Sequence, residues 1–133
     1  MGHKINRYVI DAFAWIDYIE SGPFSIKIEE LLQKDECYTC SGTVAEVLSK
    51  VLRKKGNAKE CMEAIYTLSK IIPITEGSAH IAGTFHSTQR KIKKQFGLGD
   101  AFVYAAALEK NAKILTNDHH FEDLKETIML KNL

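Results

Sequence analysis

The sequence is poor in the features that mark a secreted, membrane-bound or low-complexity chain. It has three cysteines, Cys37, Cys40 and Cys61. An odd number cannot pair completely within one chain, which fits a reducing compartment better than a disulfide framework. No uninterrupted apolar run approaches the ~20 residues needed to cross a bilayer, and Met1-Gly2-His3-Lys4 lacks the apolar core of a signal peptide. A cytoplasmic location without membrane association is expected. Charge of neither sign dominates, since 18 Lys+Arg against 17 Asp+Glu leave a net charge of +1. Bulk charge therefore neither demands nor excludes a nucleic-acid partner, and the distribution of charge must decide. No internal repeat, linker or low-complexity stretch divides the chain.

The composition is that of a globular protein, with 45% hydrophobic and 26% charged residues. A length of 133 residues allows one compact core and is too short for two ordinary domains, so one domain spanning residues 1–133 is expected. Short apolar runs alternate with segments of helical period. Strands are predicted at Tyr8 to Ile10, Glu36 to Cys40, Ile71 to Ile74, Lys113 to Leu115 and Thr127 to Leu130. Helices are predicted near Ala12 to Glu20, Phe24 to Lys34, Thr43 to Lys55, Ala58 to Lys70, Glu76 to Gln95 and Ala101 to Lys110, with a short one after Asp118. This alternation argues for an α/β fold, a parallel sheet covered by helices on both faces. Gly22-Pro23, Gly56-Asn57 and Gly97-Leu98-Gly99 punctuate helix boundaries, and Pro73 suits an edge strand. Ala105, Ala106 and Ala107 would let the Ala101 to Lys110 helix lie close against the sheet.

In a parallel sheet the ligand site lies beyond the carboxyl ends of the strands. Asp11 directly follows the first strand, Glu46 falls in the first turn after the second, and Asp118 comes just beyond the fourth. Asp100 instead opens a helix after the glycine turn. Each position also suits helix capping: Asp11, Asp100 and Asp118 as N-caps, and Glu46 with Thr43 as a capping box. A neutral Ser, Thr or Asn caps nearly as well, however, so capping gives no reason for four carboxylates that share one end of a sheet. Two carboxylates ~4 Å apart repel by roughly 4 kcal/mol at an effective dielectric of ~20. Protons or a cation must relieve such a cluster, and a hard divalent ion such as Mg²⁺ does so while keeping waters for phosphate chemistry.

The positive charge suits this reading. Arg53-Lys54-Lys55 ends the helix carrying Glu46, and Arg90-Lys91-Ile92-Lys93-Lys94 leads into the glycine turn before Asp100. Arg90, Lys91, Lys93, Lys94, Arg53 and Lys54 are candidate contacts for RNA phosphates. The competing reading is that they complement helix dipoles or are simply solvated. Cys37 and Cys40 form a C-x-x-C within a strand, where their odd spacing points them to opposite faces, so a shared metal or redox pair is not expected. His119 and His120 are adjacent, do not face each other on a helix, and are assigned loop or surface roles. Trp15, with Ala12, Ile16 and Ile19, reads as the buried stripe of the first helix.

Four segments together resemble the PIN-domain family, especially the VapC-type toxins of prokaryotic toxin–antitoxin pairs. They are Tyr8-Val9-Ile10-Asp11-Ala12-Phe13-Ala14-Trp15-Ile16, Thr43-Val44-Ala45-Glu46-Val47, Leu98-Gly99-Asp100-Ala101, and Ile114-Leu115-Thr116-Asn117-Asp118-His119-His120-Phe121. The resemblance covers nearly the whole chain in order and spacing. It implies a three-layer α/β/α fold with strand order 3-2-1-4-5 and a catalytic, metal-binding quartet of Asp11, Glu46, Asp100 and Asp118. It also implies support of the last acid by Thr116, Mg²⁺ or Mn²⁺ as cofactor, an RNA substrate, a homodimer and a small antitoxin partner. Ala12 departs from a pattern that often has a hydroxyl residue there, which removes support but no ligand.

The expected activity is endoribonuclease cleavage of a phosphodiester by metal-activated water. A nuclease of RNA processing or decay, and a PIN-like scaffold that binds RNA or protein without cutting, use the same residues. A phosphoacceptor receiver domain would want an Asp where Ile74-Thr75-Glu76 stands. An Asp-nucleophile phosphatase would want a second acid within Asp11-Ala12-Phe13.

Overall fold

The computed structural model describes residues 4–133; Met1, Gly2 and His3, part of the segment read above as lacking an apolar leader, lie outside the described residues. Five parallel strands form one sheet in the order β3-β2-β1-β4-β5, comprising β1 (Arg7–Ile10), β2 (Glu36–Cys40), β3 (Lys70–Ile72), β4 (Lys113–Thr116) and β5 (Thr127–Met129). Six α-helices among the described residues connect them: α1 (Ala12–Ile19), α2 (Ser25–Lys34), α3 (Ser41–Arg53), α4 (Ala58–Leu68), α5 (Glu76–Gln89) and α6 (Leu98–Lys110). Short 3₁₀ turns occupy His119–Phe121 and Leu130–Asn132. No helix among the described residues is long and apolar enough to cross a membrane.

The strands sort their side chains by the two-residue period. Tyr8 and Ile10 of β1 face a core built with α1, α2, α3 and α4, whereas Val9 faces a core built with α5 and α6. Cys37 and Cys40 likewise fall in opposite cores, and all three cysteines are free and buried. Both faces of the sheet are thus covered, which is why the central strands read as unbroken apolar runs. On the first face Trp15 is fully buried. Its indole N–H donates to Thr39 Oγ1 at 3.0 Å, the Thr39 and Ser69 hydroxyls meet at 2.6 Å, and Ser69 Oγ donates to the Ile65 carbonyl at 2.8 Å. Because Ser69 spends its hydrogen on Ile65, Thr39 donates to Ser69, and the chain satisfies every buried polar atom in it while tying α1, β2 and α4 together. On the second face the small residues Ala101, Ala105, Ala106 and Ala107 are all buried, as expected for a helix lying close on the sheet.

Several boundaries differ from the sequence reading. Helix α3 starts at Ser41, with Cys40 as N-cap and no side-chain capping bond. Thr43 is therefore inside the first turn, and the Thr43–Glu46 capping box does not form. Strand β3 ends at Ile72, before Pro73, whose missing N–H cannot extend the ladder. Helix α5 ends at Gln89, and the following residues turn tightly, with the Ile92 and Lys93 amides donating to the Gln89 carbonyl at 3.0 and 2.8 Å and Phe96 anchored in the core. Helix α6 begins at Leu98, so Asp100 is its third residue rather than its N-cap.

Candidate active site

The strand order reverses between β1 and β4, and the crevice at the carboxyl ends of those strands is where a parallel sheet offers a binding site. Asp11 is the first residue beyond β1, and its amide still donates to the Leu115 carbonyl of β4 at 3.3 Å. Its backbone is extended, so the side chain turns over the start of α1 and Oδ1 accepts from the Ala14 amide at 3.0 Å. Its other oxygen, Oδ2, accepts from the Thr116 hydroxyl at 2.6 Å. Thr116 ends β4 fully buried, and its Oγ1 also accepts from the Asp118 amide at 2.9 Å. One hydroxyl thus fixes two acids, Asp11 through its proton and Asp118 through its lone pair.

Asp11 is only 5% exposed. Burial pushes its carboxyl up to about 7; the bonds from Thr116 and Ala14 pull it down, and the charges of Asp118 and Asp100 push it further up. Desolvation dominates because an ionised carboxylate loses its water there, and among the described residues no cationic side chain pairs with it. Asp118 caps the 3₁₀ turn, with Oδ1 accepting from the His120 amide at 2.9 Å. Asp100 reaches back to the Gly97 amide at 2.9 Å, and its Oδ2 also lies 3.2 Å from His120 Nδ1. Glu46 projects from the second turn of α3, half exposed and 3.8 Å from Lys50. A Cβ on Gly99 would lie 3.3 Å from Glu46 Oε1, so this carboxylate rests against the residue beside Asp100.

Of the four acids expected from the sequence, Asp11, Asp100 and Asp118 are linked through Thr116 and His120 and act on one another's charge, and Glu46 rests against Gly99 beside Asp100; among the described residues no three of these carboxylates come within 4.8 Å of one another. The capping alternative holds in part: Asp11 and Asp118 are N-caps, each through Oδ1, but Asp11 Oδ2 also takes the Thr116 hydroxyl and Asp118 Oδ1 also faces His120 Nδ1. Asp100 caps from the third helical position, and Glu46 caps nothing. The donor chemistry, carboxylate oxygens of which one set is buried without a cation, fits a small hard divalent ion.

The basic residues separate into two groups. Lys93 Nζ donates to the His119 and His120 carbonyls at 3.0 and 3.4 Å and pairs with Asp123 at 3.1 Å, so it fastens the 3₁₀ turn to the segment after α5. Arg90, Lys91 and Lys94 are exposed beside it. Lys54 pairs with Glu20 at 2.9 Å, and it stands with Arg53 at the end of α3 away from Glu46. The side chain that sequence reasoning missed is His120. The helical spacing argument does not govern a 3₁₀ turn, where the rings of His119 and His120 pack 4.6 Å apart, edge to face. The available signal was the cap itself, because a capping Asp bonds the amide two residues on and draws that residue back over its carboxylate. A cavity of about 740 Å³ lies elsewhere, between the distal ends of α1 and α3 and helices α2 and α4, lined by Ile19, Ile26, Val51 and Cys61.

A parallel α/β fold with an acidic crevice at its switch point is thus the class this chain falls in. More particularly, the chain belongs to the PIN-domain family, whose pattern matches residues 8–126. No functionally curated protein matches the sequence significantly. Among solved structures the chain is similar to VapBC2 from Rickettsia felis, with a TM-score of 0.71 at 20% identity over 92% of this chain and 96% of that one. It is also similar to a toxin–antitoxin complex from Klebsiella pneumoniae, with a TM-score of 0.73 at 18% identity over 95% of this chain and 99% of that one. VapC20 of Mycobacterium tuberculosis, a sarcin–ricin loop cleaving toxin, gives a TM-score of 0.63 at 16% identity over 80% of this chain and 85% of that one. These likenesses establish a shared fold.

Proposed function

We propose that this protein is a divalent-metal-dependent endoribonuclease and the toxin of a VapC-like toxin–antitoxin pair. The observation that carries the reading is Asp11, a buried carboxylate pushed up to about 7 and joined to Asp118 through the Thr116 hydroxyl. A fold does not require such an arrangement, and a cation relieves it. Asp11 and Asp100 are assigned as direct ligands of Mg²⁺ or Mn²⁺, with Glu46 and Asp118 completing the set. When bound, the ion supplies Lewis-acid activation of water and neutralises charge at the phosphate. The protein's own part is to hold the carboxylates in register. Thr116 orients Asp11 and Asp118, Gly99 leaves room for Glu46, and Asp11 gives up its proton as the site fills.

RNA phosphates are assigned to the exposed cations Arg90, Lys91 and Lys94, which adjoin the rim, with Lys93 acting as their anchor rather than as a contact. The toxin role, with an antitoxin partner, a homodimer and action in the cytoplasm, is supported by the family and by neighbours described as toxin–antitoxin complexes. The test is purified protein on single-stranded RNA with Mg²⁺, Mn²⁺ or chelator, beside Asp100→Asn prepared identically. Cleavage is expected only with metal, to leave 5′-phosphate ends, and to fall by at least about 10²-fold in the variant. Products ending in 2′,3′-cyclic phosphate, or cleavage indifferent to chelation and to the substitution, contradict the proposal.

A further inference from the structure

One side chain of a different chemistry enters the acidic crevice. His120 is 21% exposed at its side chain, against 76% for His119. Its Nδ1 lies 3.2 Å from Asp100 Oδ2 and 3.5 Å from Asp118 Oδ1. Two carboxylates from separate elements therefore converge on one ring nitrogen. Its position is built in: the His120 amide is held by Asp118, its carbonyl by Lys93, and the next residue, Phe121, is fully buried.

A hydrogen bond accounts for only half of this. A single N–H donates well to one oxygen, yet two carboxylates approach the same nitrogen. Neighbouring donors around an octahedral ion with bonds of about 2.0–2.1 Å stand about 3 Å apart, close to the 3.5 Å between His120 Nδ1 and Asp118 Oδ1, while Asp100 holds the ring from its other side. Ligand atoms of Asp118, His119 and His120 lie within 4.8 Å of one another, a group in which Asp118 is the carboxylate and to which Asp100 does not belong.

We propose that His120 Nδ1 is a nitrogen ligand of the cation held with Asp118, and that it shifts the site's preference from Mg²⁺ toward Mn²⁺. The inference rests on the metal-dependent reading above. Mg²⁺ is served by oxygen donors, whereas an imidazole favours first-row transition ions. The four carboxylates alone would accept either ion. With His120 among the donors, replacing the ring should weaken Mn²⁺ selectively.

The probe is Mn²⁺ itself on the full chain, with electron spin-echo envelope modulation to detect ¹⁴N coupling and calorimetry to measure Mn²⁺ and Mg²⁺ affinities. The proteins are wild type, His120→Ala and His120→Asn; the Asn amide can keep a hydrogen bond to Asp100 but offers no ring nitrogen. The expected result is imidazole ¹⁴N coupling in the wild type that vanishes in both variants. Mn²⁺ affinity should fall about tenfold in both, and Mg²⁺ affinity less than about twofold. Wild type that binds Mn²⁺ without nitrogen coupling overturns the assignment, and this spectrum decides even if a variant fails to fold. Full rescue of Mn²⁺ affinity by His120→Asn overturns it too, because the ring would then only position Asp100. A wild type that binds neither ion removes the metal-dependent reading and this inference together, whereas tight binding with unchanged variants removes this inference alone.

Discussion

Thr116 carries more of the site than its size suggests. Its hydroxyl is wholly buried and spends its proton on Asp11 and a lone pair on the Asp118 amide. Thr116→Val keeps the shape and removes both bonds, leaving one oxygen of a buried carboxylate and a part-buried amide without a partner, while Asp11 Oδ1 keeps the Ala14 amide. Such losses cost about 1–3 kcal/mol of stability, and freeing two ligands from their support lowers activity about 10–100-fold. Thermal unfolding and RNA cleavage on the same preparation check both numbers. Only the support of the last acid was implied by the sequence. That Thr116 also holds the first acid depends on β1 and β4 being neighbours, a fact of topology that no local pattern displays.

At the scale of elements, the approach of α3 to the start of α6 places Glu46 over Gly99. Gly99→Ala puts a methyl carbon 3.3 Å from Glu46 Oε1 in a helix that otherwise gains from the change. Gly costs about 1 kcal/mol relative to Ala inside a helix, so Tm is expected to rise or hold. Glu46 is half exposed and gives way, so metal affinity should fall, on the order of twofold to tenfold. A parallel fall in Tm and affinity would mean that α6 itself had moved. The same two helices show where the sequence was legible and where it was not. Their existence and order followed from apolar period and glycine punctuation. Their first residues did not, because Thr43 and Asp100 each offered a good N-cap, while α3 begins at Ser41 without a side-chain capping bond and α6 begins at Leu98 with Asp100 capping from inside its first turn. The shift mattered for function: without a Thr43 cap to complete, Glu46 has no capping task and makes only a half-exposed ion pair with Lys50. His120 was missed for the same reason, since a 3₁₀ turn obeys a different spacing from an α-helix.

For the whole molecule, a sheet covered on both faces leaves its strand ends as the place where polar groups gather, and the order reversal opens them between β1 and β4. Here the fold sustains a carboxylate that its own burial disfavours. The folded pKa of Asp11 is raised from 3.8 to about 7, so the folded state holds this proton more tightly than the unfolded chain. Its contribution to stability is intact below about pH 4 and is lost as pH climbs through about 7, a change on the order of 4 kcal/mol at most. A cation reverses the penalty where Asp11 is ionised, and at lower pH it must compete with the proton.

The most direct measurement is therefore the Mn²⁺-induced shift in Tm at pH 6 and pH 8, for wild type and Asp11→Asn. The account predicts a rise in the wild type that is larger at pH 8. It predicts little or no rise in Asp11→Asn, whose metal-free form should be at least as stable as the wild type at pH 8. A wild-type shift that is absent, or one that Asp11→Asn reproduces in full, would contradict it.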